Sequence, residues 1–369
     1  MKLAVIGLVV AAAVSSVSAD PRPTPPPPTP TLAADPQYAK LCAPCHGADG
    51  QGYVADHAPS LVNSTFLASA NDSFLRRGIE YGRPGTSMGA YGNKLGGPLD
   101  DAALDHMVQL LRSRGKLQPL PPAGQGDPAR GAPVYTQLCK ACHGDATMRG
   151  EAPHLANLQF QSNATSAFVK YAVVNGRPGT KMEPFAQKIT AQQIDDVVAY
   201  VRQLADASKP AVELLPAPTG KEPLLLNPRG KDPSFTLTAE PGKPDDKRYV
   251  SIAQVQAALA SKQKMIIVDA RPPSEWRQVH IAGAVSMPYH DLKSLDRLPK
   301  DGTWIISYCA CPHHLSGIVA DELQKRGYKH AVVLDEGILE WQRRNLPIVA
   351  AKGHEKPPSE RPVAPGTIQ

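Results

Sequence analysis

Beyond its N-terminus the chain has no apolar run long enough to cross a bilayer, which takes about 20 residues. It has no stripe of Arg and Lys interleaved with aromatics, and its formal net charge of +6 is mild for 369 residues. Nucleic acid is therefore not an expected partner. Cysteine is scarce. There are six, four of them in two copies of one short motif, and no third copy exists. None stands directly after the N-terminal apolar stretch, where a lipid anchor would need one. Proline is plentiful at 38 residues and falls largely in tracts that divide the chain. The length allows two or three domains with buried cores.

Residues 1–19 read as a secretory signal peptide. Lys2 supplies the positive start, Leu3 to Val14 the apolar stretch, and Val17-Ser18-Ala19 the small residues for cleavage. Cleavage after Ala19 leaves an exported chain, periplasmic in a bacterium, that is not an integral membrane protein. Residues 20–34 are a Pro-rich spacer, with Pro25 to Pro28 consecutive.

The repeated motif is Cys42-Ala-Pro-Cys45-His46 and Cys139-Lys-Ala-Cys142-His143. Cys-x-x-Cys-His is the attachment signature of c-type haem: two thiols bind the vinyl groups, and the adjacent His binds the iron. The expectation is two covalently attached haem c groups, and a third is excluded. The repeat extends further. Gly82-Arg83-Pro84-Gly85-Thr86 recurs as Gly176-Arg177-Pro178-Gly179-Thr180, each two residues short of a Met, Met88 and Met182. The motif offset is 97 residues and the Met offset 94, so one loop is three residues shorter in the second copy. Each copy ends in an amphipathic stripe: Leu104, Met107, Val108 and Leu111, then Ile194, Val197, Val198, Val201 and Leu204. Asp100 can cap the first, and Thr190 with Gln193 form a capping box on the second.

Residues 35–115 and 127–207 each resemble a class I cytochrome c domain, joined by a linker at 116–126. The resemblance implies an all-α fold around one haem, a Pro whose carbonyl orients the proximal His, and a distal Met. Pro59 and Pro153 take the first role. His46 with Met88, and His143 with Met182, become the axial pairs. His57 and His154 are the rival ligands. His/Met ligation fills both axial positions and raises the potential, so electron transfer with a redox protein partner is expected.

Residues 208–245 read as a connector, packed in part through Leu224, Leu225 and Leu226. From 246 to 350 strand patterns alternate with helices, at 265–268, 304–308 and 331–334, which predicts a parallel sheet covered on both faces. The tail 351–369 is polar and Pro-rich. Asp269-Ala-Arg271 with Glu275-Trp276, the stretch His280 to Ala284, Ser307-Tyr308-Cys309, and Leu334 to Gly337 with Trp341 resemble the rhodanese, or sulfurtransferase, family. The resemblance implies a thiolate that carries sulfane sulfur as a persulfide, taken from a small sulfur compound. The loop Cys309-Ala-Cys311-Pro-His313-His314-Leu-Ser316 departs from the family in lacking Arg or Lys and in offering two cysteines. Counting from the strand selects Cys309 and counting from the helix suits Cys311; Cys309 is the expected sulfur carrier, with Cys311 a resolving thiol. A catalytically inactive docking domain, and a metal-handling site built from Cys309, Cys311, His313 and His314, stay open beside sulfurtransferase activity. The overall expectation is a multidomain chain, two all-α cytochrome c domains followed by an α/β rhodanese-like domain.

Overall fold

Short polar residues start the helices by capping free backbone N–H groups. Asp35 accepts from Tyr38 at 2.9 Å, Asn71 from Phe74 at 2.7 Å and Asp100 from Ala103 at 2.8 Å. The capping box expected at Thr190 and Gln193 is present, with both reciprocal bonds. The computed structural model describes residues 31–53, 58–83, 86–146, 148–204, 214–239, 243–310 and 313–355. The expected signal peptide at 1–19, the spacer up to Pro30, His57, Cys311 and the tail from residue 356 lie outside the described residues.

The first helical region holds α1 (Pro36–Leu41), α2 (Ala43–His46), α3 (Ser64–Ser69), α4 (Asp72–Tyr81) and α5 (Asp101–Arg112). The second holds α6 (Pro128–Leu138), α7 (Lys140–His143), α8 (Leu158–Asn163), α9 (Ser166–Asn175) and α10 (Ala191–Gln203) in the same order. Both amphipathic stripes are buried, and Met107 is a core residue among them. Leu32, which the sequence places in the spacer, is fully buried in the first region's core.

The two helical regions meet through α3 on α9 and α4 on α8. Their contact is nearly self-complementary. Phe74 stacks on Phe168 with centroids 4.9 Å apart, while the pairs Phe66–Phe168 and Phe74–Phe160 meet edge-on at 6.4 and 6.1 Å. Exchanging each Phe for the one 94 positions away turns this set into itself. Arg83 lies over Phe74 at 5.1 Å and Arg177 over Phe168 at 5.3 Å, which adds a cation–π contact on each side. Linker residues are tied down as well: the Gln118 N–H donates to Ala68 O, and the Gly124 N–H to Asp195 Oδ1.

The C-terminal domain is built on a six-stranded sheet. Its strands are β1 (Thr238–Ala239), β2 (Lys247–Val250), β3 (Ile266–Asp269), β5 (Val285–Ser286), β6 (Ile305–Tyr308) and β7 (Ala331–Leu334), in the order β1-β2-β7-β6-β3-β5. All neighbours are parallel except the edge pair β1–β2. A separate antiparallel pair joins β4 (Val279–Ile281) to β8 (Ile348–Ala350). The helices are α11 (Ile252–Ala260), α12 (Pro273–Trp276), α13 (His314–Lys325) and α14 (Gly337–Arg343). Alternate side chains of each strand face opposite sides. Ile267, Ile306 and Val332 join Val255, Ile338 and Trp341 in one core. Ile266, Val268 and Ile305 join Leu315, Val319 and Leu323 in the other. That second core runs on without a break into the helical regions. The sheet begins earlier than the sequence suggests, because β1 and the Leu226–Met265 bridge draw the end of the connector into it.

Candidate functional site

The two Cys-x-x-Cys-His stretches fold as single tight turns. His46 N donates to Cys42 O at 2.8 Å, and His143 N to Cys139 O at 2.9 Å. Positions i, i+3 and i+4 share a helix face, so each turn gathers two thiols and an imidazole on one side. His46 is 7% exposed, and its Nδ1 lies 3.0 Å from Pro59 O. His143 Nδ1 lies 2.9 Å from Pro153 O. A carbonyl can only accept, so each Nδ1 keeps its proton and each Nε2 keeps its lone pair. Burial also lowers the pKa of both imidazoles, favouring the neutral form that binds a metal. These residues fit a haem with a proximal His. Thirteen residues separate His from Pro in the first region and ten in the second, which places the three-residue difference in this loop.

The loops carrying Met88 and Met182 close alike. Arg83 N donates to Met88 O at 2.8 Å, and Arg177 N to Met182 O at 2.7 Å. The backbone N of each Met donates to a Thr hydroxyl, Thr86 or Thr180, at 3.0 Å. Gly82 and Gly176 open the loops at φ +64° and +62°; a Cβ there would meet the Met carbonyl at 2.4 or 2.5 Å, so only Gly fits. Both Met residues are half-buried. Of the rival ligands, His57 lies outside the described residues. The His154 Nε2 is engaged by Asp145 O at 2.7 Å.

Cys309 stands just beyond β6, 1% exposed, with its Sγ 3.3 Å from Ser316 Oγ on α13. Its strand is held from beneath. Arg271 forks onto Asp269 at 2.6 and 2.9 Å and donates to Val279 O, while the Tyr308 hydroxyl donates to Asp269 Oδ2 at 2.8 Å. This buried ion pair supports the loop. Burial pushes the Glu275 carboxyl up to about 8 against the pull of Arg271. His313, at φ +65°, opens α13 and donates from Nε2 toward Asp335, whose backbone O lies at 2.7 Å and Oδ1 at 2.9 Å. Those bonds raise the His313 pKa despite its burial. Among the described residues no group of three or more His, Cys, Asp or Glu is disposed around a common point to hold a metal ion. Cys311, part of the metal alternative, lies outside them.

Residues 251–344 match the profile of the rhodanese-like domain. A sulfurtransferase of Allochromatium vinosum is 33% identical over 103 residues, 26% of this chain and 88% of that protein. Over this stretch the chain belongs to the rhodanese-like family. A probable adenylyltransferase/sulfurtransferase MoeZ of Mycobacterium tuberculosis is 35% identical over 92 residues, 24% of this chain and 23% of that one. Residues 126–201 match cytochrome c oxidase, cbb3-type, subunit III. The cbb3-type cytochrome c oxidase subunit CcoP of Azospirillum sp. (strain B510) is 30% identical over 183 residues, 44% of this chain and 58% of that protein. The chain thus spans less than two thirds of the CcoP relative. A helical, cytochrome c-like region precedes the rhodanese-like domain, and the likeness supports covalently held haem c. No helix among the described residues is long and apolar enough to cross a membrane.

The rhodanese-like domain also covers the first helical region's site, a role no sequence pattern announced. The Ser274 hydroxyl donates to Ala90 O and accepts from Ala90 N, both at 3.0 Å. The Tyr289 hydroxyl donates to Leu41 O at 3.0 Å, which leaves Tyr91 as the donor in the 2.9 Å Tyr91–Tyr289 bond. A Cβ on Gly89 would meet Glu275 Oε1 at 2.7 Å. Tyr53, in the longer His–Pro loop, meets His314 edge-on at 5.7 Å.

Proposed function

We propose that the chain is an exported dihaem c-type cytochrome whose rhodanese-like domain carries sulfane sulfur on Cys309. Cys42 and Cys45 hold one haem, and Cys139 and Cys142 the other. His46 with Met88, and His143 with Met182, would supply the iron ligands when haem is bound. The observation that carries this reading is the matched local geometry: two imidazoles each pinned through Nδ1 to a proline carbonyl, and two Met loops closed by the same bonds. Haem, when bound, supplies a one-electron couple. The chain's own residues keep the imidazoles neutral and oriented, and close each Met loop.

The Cys309 thiol sits at the end of a buried strand ahead of the N-terminus of α13, where partial positive charge favours a thiolate or persulfide. The buried contacts of Ser274 and Tyr289 favour a second reading, in which the domain serves only to cover the first haem site. An alkaline pyridine haemochrome assay tests the haem count, with two per chain expected and one per chain contradicting it. A sulfurtransferase assay with a polysulfide donor and cyanide acceptor separates the two readings of the C-terminal domain. Activity lost in Cys309→Ser supports the carrier, and no activity in the parent supports the cover.

A further inference from the structure

Cys309 and the first Cys-x-x-Cys-His motif are joined by an unbroken line of bonds. Tyr308, the neighbour of Cys309, accepts at its carbonyl from Ala270 N at 3.0 Å. The Ala270 carbonyl accepts from Tyr289 N at 2.9 Å. The Tyr289 side chain then crosses the domain boundary, and its hydroxyl donates to Leu41 O at 3.0 Å. Leu41 is peptide-bonded to Cys42. Three hydrogen bonds therefore separate a sulfur-carrying thiol from a haem-attaching one. Tyr289 is fully buried, so water does not interrupt the path.

The Cys309 loop narrows the substrate. It holds no Arg or Lys to attract an oxyanion such as thiosulfate, and the Nε2 of His313, the imidazole whose pKa is raised, is already taken by Asp335. Small, weakly charged sulfur is the better match. Hydrogen sulfide, however, is two electrons more reduced than sulfane sulfur and needs an oxidant within reach.

We propose that the Cys309 site oxidises hydrogen sulfide to a cysteine persulfide and passes the electrons to the first haem site through Tyr289. This rests on the dihaem reading above. Cys309 thiolate and hydrosulfide ion become the Cys309 persulfide anion, one proton and two electrons. The S–S bond forms, the S–H bond breaks and the proton leaves to solvent. The sites at Cys42–His46 and Cys139–His143, each loaded with a ferric c-type haem, would accept one electron apiece, which closes the two-electron balance.

The test mixes the ferric holoprotein with sodium sulfide without oxygen, after haem content has been counted, so failure of the dihaem reading shows before sulfide is added. The expected result is reduction of both haems together with a one-sulfur mass increment on the peptide bearing Cys309. Cys309→Ser should lose the increment and the rapid reduction while dithionite still reduces its haems. Tyr289→Phe should keep the thiol and the haems but reduce several-fold more slowly. Thiosulfate should leave the haems ferric. Equal reduction rates in the parent and Cys309→Ser, or a persulfide formed from sulfide with the haems still ferric, would overturn the proposal.

Discussion

The two helical regions share an element order, a proximal His geometry and a Met loop, yet their surroundings differ. In the first, Gly89, Ala90 and Tyr91 lie against the rhodanese-like domain, and Ala90 and Tyr91 are buried. The positions 94 further on are Glu183, Pro184 and Phe185; the first two are exposed and the third half-buried. Cys142 is exposed where Cys45 is half-buried, and Met148 stands 48% exposed near the second motif. Each residue difference follows from what covers it. Gly is needed where a carboxyl presses in, and Glu is tolerated where water does. Tyr is useful where another Tyr waits, and Phe suffices where none does. On the proposed function, the first site is an internal station facing the sulfur chemistry, and the second is the face open to an external redox partner.

The largest effect expected is from Asp269→Ala. It strands Arg271 in the core, and breaking a buried pair this way costs roughly 3–5 kcal/mol. Chemical unfolding followed by tryptophan fluorescence should show the C-terminal domain melting first, since its three Trp residues are all the chain has. Spectral change should appear at the first haem site and not at the second. Equal disturbance of both would break the comparison.

A pH dependence follows from Glu275. Its carboxyl is raised from 4.5 to about 8 in the folded state, so the folded chain holds the proton more tightly than the unfolded one. That contribution is fully present below the unfolded pKa, declines as pH rises, and is gone above about 8. Urea midpoints of the parent should therefore fall relative to Glu275→Gln between pH 5 and pH 8, at values chosen to bracket that window. Parallel curves for the two proteins would count against it.

Gly89→Ala sharpens the comparison directly. The added Cβ meets Glu275, and overpacking of this kind costs roughly 1–3 kcal/mol. Glu183→Gly, the matching change in the second region, touches solvent and should shift stability by no more than about 0.5 kcal/mol. Thermal unfolding of the pair measures both. The smallest effect is from Tyr91→Phe, which gives the first loop the second region's residue. Losing one buried hydrogen bond should cost about 1 kcal/mol, and a change indistinguishable from zero would mean the Tyr91–Tyr289 bond carries no weight.

Much of this was legible in sequence because the signals are local. The Cys-x-x-Cys-His turns, the proline after each, the repeated Gly-Arg-Pro-Gly-Thr and the stripes of α5 and α10 all work within a few turns of chain. The strands β3, β6 and β7 announce themselves as buried β-branched runs. Strands β4, β5 and β8 do not, being three residues or fewer with no pattern of their own. Leu32 was hidden by its proline-rich flank. The cover over the first site was not legible at all. Ser274–Ala90, Tyr289–Tyr91 and Tyr289–Leu41 join residues 184, 198 and 248 positions apart, and a serine or tyrosine in a loop carries no mark of so distant a partner.

The most direct test of the central claim uses two variants, each lacking one haem attachment pair: Cys42→Ala with Cys45→Ala, and Cys139→Ala with Cys142→Ala. Each is mixed in its ferric form with sulfide without oxygen, and the first electron is followed by absorbance. The expected result is rapid haem reduction in the chain that keeps the first site, with one Cys309 persulfide formed for every two chains reduced, and none above the Cys309→Ser background in the chain that keeps the second. Rapid reduction of the second site alone would contradict it.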